Sequence, residues 1–322
     1  MEMAFEPVVD VMCDWTTGVH RYREPVQPFE SGKILKIDRD GVIDWEKRDW
    51  ETIRCPSSDT SIRISCCGEK LRFMGNIGRF GNGDNLQGVG VIRCVERWAE
   101  ILYPMGVDLT MFGSVQHKGT PSESGTILTR LDLASNFDVD EYGSFTQLAM
   151  QRRIGRRLPL PGKYGPTWGF DAKRGNWWKA KIYDKSAEMA GERGPRSGPT
   201  IARFEVQLGS EYLKREGLQY VSTWKGQDMA KIIYGRFASD LFREAPTVET
   251  WCDIPPRLRQ YAILWRDGVD VRSMMGRSSY YSIKSKLRDF GIDIDVPCNV
   301  VALSRRVREI TVTPRPMIRE AA

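Results

Sequence analysis

Residues 179–185 read Lys179-Ala180-Lys181-Ile182-Tyr183-Asp184-Lys185, and alternation along an extended chain sorts these side chains onto two faces. Lys179, Lys181, Tyr183 and Lys185 share one face, while Ala180 and Ile182 point the other way, so the apolar side is the core side. Two further stretches repeat the pattern. In Arg203-Phe204-Glu205-Val206-Gln207-Leu208 the polar face carries Arg203, Glu205 and Gln207; in Arg130-Leu131-Asp132-Leu133-Ala134 it carries Arg130 and Asp132. If the three strands lie in one sheet, a tyrosine, several cations and two carboxylates meet on a single surface.

Working outward, short β-like runs alternate with turn signals over residues 1 to 50, including KILKI after Gly32 and VIDW after Arg39-Asp40-Gly41. SIRISC (61–66) and LRFMGN (71–76) read as a strand pair around Gly68. Six glycines between Gly75 and Gly90 mark a loop that leads into the helically spaced VIRCVERWAEILYPMG. TILTRLDLAS (126–135), WWKAKIYDK (177–185) and TIARFEVQL (200–208) read as strands and SFTQLAMQRRIGRRL as a helix. GERGPRSGP (191–199) reads as an exposed connection. Beyond about Gly226 the texture turns helical. The expectation is an α+β fold: an antiparallel sheet with helices on one face, plus a mainly helical, winged-helix-like C-terminal module. The division predicted is a catalytic domain over 1–225 and a DNA-binding module over 226–322.

Lysine and arginine number 48 against 42 acids, a net charge of +6, which suits a polyanion without requiring one. Seven cysteines, two of them adjacent at Cys66 and Cys67, show no CxxC or Cys/His spacing, so reduced thiols are expected rather than a disulfide framework. The N-terminus MEMAFEPVVD lacks the basic flank and apolar run of a signal segment, and no stretch approaches the roughly 18 apolar residues of a spanning helix. A soluble protein that is not exported is expected, with no membrane partner.

The shared polar face suits strand transfer on DNA. A phenol with a reference pKa of about 10 is a weak nucleophile and needs activation; Lys181 and Lys185 could favour the phenolate of Tyr183. Asp132 and Glu205 could hold a hard divalent ion, Mg²⁺ or in its place Mn²⁺, through oxygen ligands. The product would be a phosphotyrosine ester that conserves bond energy and frees a 3′-hydroxyl. The plain alternative is that Asp132 and Glu205 pair with Arg130 and Arg203 as surface ion pairs. The glycine loop has neither GxxxxGK[ST] nor a clean GxGxxG, which argues against nucleotide hydrolysis. His20 and His117 are far apart, so no His-x-His metal pair exists, and each is expected at the surface or in a loop.

From Pro256 to Ile292 a helix, Gly268, a short helix, Gly276 and a last helix follow with helix-turn-helix spacing, the last helix capped at Ser278 or Ser279. Arg277, Tyr280, Tyr281, Lys284, Lys286 and Arg288 on that helix are candidates for phosphates and base edges. Residues 298–316 would add a wing or arm with Arg305, Arg306 and Arg308. Arg130 and Arg203 beside the tyrosine are further candidate DNA contacts. The pairs Arg152-Arg153, Arg156-Arg157 and Lys173-Arg174 could grip flanking duplex.

In these blocks, LRFMGNIGRFGNGDNLQG, LTRLDLASNF, KAKIYDKSAEM, IARFEVQLGSEYLKREGL and WRDGVDVRSMMGRSSYYSIKSKLRDFGI, the chain resembles the gene II replication proteins of filamentous bacteriophages, collinearly over most of its length. The resemblance implies rolling-circle replication in the cytoplasm of a bacterial host: nicking of a double-stranded origin through a 5′-phosphotyrosine ester, and rejoining of the displaced single strand. It implies Tyr183 as nucleophile, Asp132 and Glu205 as acidic site residues, Lys185 as the nearby cation, and a host helicase and polymerase as partners. One departure is that the family's Gly-His-Asn loop reads Gly83-Asp84-Asn85 here, so Asp84 would supply a carboxylate in place of a histidine ligand. An internal start at Met150 could give a shorter product. Two other readings stay open: a non-catalytic origin-binding or transcription-regulating protein, and a metal-dependent nuclease that uses water.

Overall fold

In the computed structural model, residues 10–22, 24–28, 32–82, 85–103, 125–170, 177–193, 200–225, 228–242, 254–290, 292–295 and 312–315 are described. Asp84, Arg305, Arg306, Arg308, His117 and Lys173-Arg174 lie outside them.

The central strand is β7 (Gly125–Val139), with β1 (Met12–Arg21) on one side and β11 (Thr200–Leu208) on the other. Beyond β1 follow β6 (Lys70–Gly75), β5 (Ser61–Cys66) and β4 (Glu51–Arg54). Beyond β11 follow β10 (Trp178–Asp184), β9 (Gly165–Trp168) and β8 (Pro159–Gly162). Every pairing is antiparallel. The hairpin of β2 (Lys33–Ile37) and β3 (Ile43–Arg48) forms a separate two-stranded sheet.

Helices cover the apolar face, as expected. In α1 (Val91–Leu102) the buried Val91, Cys94, Val95, Trp98 and Leu102 form one helical stripe. Trp98 packs on Phe73 with ring centres 5.0 Å apart and donates its indole N–H to Thr16 Oγ1 at 2.7 Å, so its buried polar atom is satisfied. The shorter α2 (Tyr142–Ala149) and α4 (Ser210–Arg215) complete the flank.

Helix α5 (Met229–Phe242), which the change of sequence texture assigns to the C-terminal module, belongs to this core instead. Its Ile233, Tyr234, Phe237 and Leu241 are buried in the same apolar cluster as the sheet, and Tyr234 donates to the Phe204 carbonyl at 3.0 Å. The change at about Gly226 marks where the chain turns helical, not where the first core ends.

A second apolar cluster unites Ile254, Ala262, Val271, Tyr280, Leu287, Ile292 and Ile294. It is built by α6 (Pro256–Arg266), a 3-10 turn (Val271–Met274) and α7 (Arg277–Arg288), the spacing expected of a helix-turn-helix, with Gly276 rather than a serine preceding α7. The described part of the expected wing is no wing: β12 (Val312–Pro314) pairs with β7 in the main sheet, and Arg315 binds Asp138 at 2.7 Å.

Candidate active site

The opposite face of the sheet carries the polar residues, and register sets them in rows. β10 pairs with β11 as Lys179↔Gln207, Lys181↔Glu205 and Tyr183↔Arg203, and β11 pairs with β7 as Gln207↔Asp132, Glu205↔Ala134 and Arg203↔Asn136. Three rows therefore cross three strands: Asp132–Gln207–Lys179, Ala134–Glu205–Lys181 and Asn136–Arg203–Tyr183. β1 places Trp15 opposite Asp132.

Strand β10 ends directly after the tyrosine because Asp184 Oδ1 accepts the Ala187 N–H at 2.7 Å, capping α3 (Lys185–Arg193) in the usual way of an aspartate at a helix start. Lys185, the first residue of α3, keeps its ammonium 5.9 Å from the Tyr183 ring centre, and Lys181 lies at 4.8 Å. The Tyr183 hydroxyl donates to Glu205 Oε2 at 3.3 Å, and Lys181 Nζ meets Glu205 Oε1 at 3.0 Å. Thus Tyr183, Glu205, Lys181 and Lys185 are brought together. Asp132 joins them two positions along, gripped by Arg130, whose Nε donates to its Oδ1 at 2.8 Å.

Several features were not legible in the sequence. Asp14 sits where β1 bulges against β7 between Cys13 and Trp15, a device that re-aims a side chain beside a site. Its carboxylate meets Arg203 Nη1 at 3.3 Å and accepts from Asn76 Nδ2 at 3.0 Å. Asn85, in the glycine-rich loop, donates to Asp14 at 2.9 Å and accepts from Lys185 Nζ at 3.3 Å in the amide orientation that satisfies both neighbours.

Arg203 is a correction. Expected from the sequence to touch DNA, it has 0% of its surface exposed. Nε donates to Asn136 Oδ1 at 2.8 Å, Nη1 to Asp14, and Nη2 to the Asn85 carbonyl. It fastens the loop and the β1 bulge beneath the tyrosine. Tyr280 is a second correction: only 3% exposed, it fills the C-terminal core and hands its hydroxyl to Asp295. Lys284 is held by the same Asp295, and Arg288 binds Asp293 at 2.9 Å. Arg153, expected to grip duplex, binds Asp295 at 2.8 Å and so joins the sheet domain to the C-terminal module. Arg277 stays exposed at the start of α7. His20 is neither loop nor surface: it is 1% exposed in β1, with Nδ1 2.9 Å from Thr126 Oγ1.

Tyr183 itself is 8% exposed. Burial pushes its pKa well above the usual 10; Arg203 opposes this, and the charges of Glu205, Asp14 and Glu188 reinforce it. This direction runs against the phenolate that Lys181 and Lys185 are expected to favour. Lys185 is itself pushed down, by burial and then by Arg203. Glu205 is raised to about 7, first by burial and then by Asp14, with Asp132 adding to it and Lys181 opposing. Asp132 is raised too, by burial and Asp14 against the pull of Arg130.

Asp14, Asp132 and Glu205 therefore crowd one another's charge, and all three offer oxygen, the donor a hard divalent cation prefers. Asp132 and Glu205 are the two whose carboxyls are raised, and a positive charge beside them would oppose that elevation. Among the described residues, no group of three or more His, Cys, Asp or Glu side chains is placed so that it could hold a metal ion as it stands. No described helix is long and apolar enough to cross a membrane.

Comparison with known proteins matches the chain in two consecutive segments. The family described as the N-terminal region of the gene II replication-associated protein matches residues 12–227, and the family described as its C-terminal region matches residues 256–316. The chain is 22% identical over 327 residues to the gene II replication-associated protein of Enterobacteria phage I2-2, covering 91% of this chain and 92% of that one. Among solved structures, a rolling circle replication initiator protein from Geobacillus stearothermophilus aligns with a TM-score of 0.27 at 11% identity, over 65% of this chain and 78% of that one. With the N-terminal family reaching from β1 through β11 and the C-terminal family taking in the helical module, the chain belongs to the gene II replication-associated protein family.

Proposed function

We propose that the protein is a rolling-circle replication initiator that nicks one strand of a double-stranded origin and later rejoins the displaced strand. The observation that carries this reading is the Tyr183 hydroxyl held 3.3 Å from Glu205 Oε2, on the face shared with Asp132 and Asp14. The Tyr183 oxygen attacks phosphorus, its proton passes to Glu205, and the bond from phosphorus to the 3′-oxygen breaks. The 3′-oxygen leaves as a hydroxyl after taking up a proton, and a 5′-phosphotyrosine ester remains. A carboxylate raised to about 7 is well matched to take a proton near neutrality. A divalent ion such as Mg²⁺ or Mn²⁺ held by Asp14, Asp132 and Glu205 would supply charge neutralisation at the phosphate. Lys181 adds a cation on the same row as Glu205. Since Tyr183 is largely covered, the side chains around its ring must part for DNA to reach the hydroxyl.

Arg277 and the exposed side of α7 support origin binding by the C-terminal module, though with fewer free cations than its composition promises. The experiment is incubation with supercoiled origin plasmid and Mg²⁺, followed by denaturing electrophoresis. Wild type should give nicked circles and a protein–DNA ester, and Tyr183→Phe neither. Nicking that persists in Tyr183→Phe would point to a water-using nuclease. Binding without any nicking by wild type would point to a regulator.

A further inference from the structure

Lys185 stands where the fold by itself gives a cation little reason to be. It is the first residue of α3, at the end of a helix that disfavours positive charge. Its side chain is 3% exposed, and burial, then the Arg203 guanidinium, push its ammonium toward losing the proton. Two groups make the position tolerable. From the glycine-rich loop the Asn85 amide oxygen lies 3.3 Å from Nζ. From within α3, Glu188 accepts from Nζ with its Oε2, and among the described residues it is the one carboxylate in an ion pair with Lys185.

The two partners of that pair are unlike. Lys185 is sealed, whereas the Glu188 side chain is 42% exposed. Glu188 takes no part in the contacts that tie Tyr183 and Lys181 to Glu205, and it is not needed to begin the helix, since Asp184 already caps α3 through the Ala187 N–H. Its charge opposes ionisation of Tyr183 and would repel an incoming phosphate. Yet its departure alone would leave a sealed ammonium with no counter-charge, which is strongly destabilising. Only an anion arriving at Lys185 lets Glu188 go. A phosphodiester carries the same single negative charge as the carboxylate it would displace, and Glu188, already partly in water, can turn outward with little further desolvation to undo.

We propose that Glu188 is a gate: in the free protein its carboxylate occupies Lys185, and the scissile phosphodiester enters by exchanging with it. The identity of the entering anion rests on the nicking reading. Because one monoanion replaces another, the charge around Lys185 stays constant, and the site opens for a phosphate rather than for a neutral molecule.

The first test needs no DNA. Full-length protein is treated with the N-hydroxysuccinimide ester of acetic acid, and acetylation of each lysine is followed by peptide mass spectrometry, with Lys33, 53% exposed, as internal reference. Lys185 should react on the order of tenfold faster in Glu188→Ala than in wild type, with Lys33 unchanged. The second test is single-turnover nicking of supercoiled origin plasmid by Glu188→Gln, which keeps the side-chain volume and loses the charge. Half-maximal nicking should come at a plasmid concentration on the order of tenfold lower than for wild type, with a maximal rate no lower. Both variants should retain the wild-type circular dichroism. Equal acetylation of Lys185 in wild type and Glu188→Ala overturns the gate. So does a Glu188→Gln that needs as much plasmid as wild type or nicks more slowly at saturation, the slower rate marking Glu188 as a support for Lys185. Lys185 unmasked by Glu188→Ala in a protein whose wild type forms no ester leaves Glu188 as a cover and removes the nicking reading instead.

Discussion

Arg203 and Tyr183 stand opposite each other across the β10–β11 pair, and the guanidinium beneath the phenol is spent entirely on the protein itself, on Asn136, Asp14 and the Asn85 carbonyl. One arginine thus joins the central strand, the β1 bulge and the glycine-rich loop under Tyr183. Arg203→Met should cost about 3–5 kcal/mol in urea unfolding, because it strands the Asp14 charge in a mostly enclosed position. A loss under about 1 kcal/mol would show that the loop is held by other means.

If Glu205 is the base proposed for nicking, it sets the pH dependence. Its carboxyl must be ionised to take the phenol proton, and its folded value of about 7 lies above the ordinary 4.5. Single-turnover nicking should therefore rise as pH passes through about 7 and level off above it. Glu205→Gln should lower the rate at least about a hundredfold and flatten the rise. A rate that does not change between about pH 6 and pH 8 in wild type would exclude Glu205 as the base.

Stability should move the other way. An acid whose folded pKa is raised favours its neutral form, so its contribution to stability is complete below the unfolded value and is lost as pH climbs through about 7. A divalent ion held by Asp14, Asp132 and Glu205, as proposed, would restore it. Millimolar Mg²⁺ should raise Tm more at about pH 8 than at about pH 6, and Asp14→Asn should shrink the difference. An equal Mg²⁺ effect at both pH values would place the ion elsewhere.

Gly165 brings β9 against β10 beside the tyrosine. Its φ is +147°, and a Cβ there would sit 2.4 Å from the Ile182 carbonyl oxygen, so Gly165→Ala should cost roughly 2 kcal/mol or more and reduce nicking. Gly90→Ala is the control, since a Cβ at that position meets nothing within 4 Å. Comparable melting of the two variants would refute the close-packing argument.

Arg153 and Asp295 couple the two apolar cores. A double-mutant cycle on Arg153→Ala and Asp295→Asn should return a coupling of about 1 kcal/mol, more than an exposed pair gives, because both side chains are mostly covered. A cycle that closes at zero would mean that the modules are held by the rest of their contact alone.

Much of the site could be read from alternation. Lys181, Tyr183, Arg203, Glu205, Arg130 and Asp132 do share a face, because β7, β10 and β11 keep strict period two where they meet. Asp14 escaped since the bulge at Cys13–Trp15 breaks that period: counted back from the buried Thr16, it would fall on the helix side. Burial was the other blind spot. A cation in a polar row looks solvent-facing in a sequence, yet Arg203 is enclosed by a loop whose fold no local pattern encodes. For α5 the periodicity announces a helix but not which of two cores receives it, and Tyr280 looked like a DNA-facing aromatic because its partner, Asp295, arrives from beyond the helix.

The pairing of β12 with β7 has a mechanical corollary. The polypeptide leaves the sheet after α5, builds the helix-turn-helix, and pairs with the sheet again at Val312, so the helical module is flanked on both sides by segments of the main domain. If that module grips the origin as proposed, an attachment at each end would favour a constant interval along the duplex between the gripped bases and the bond that is cut.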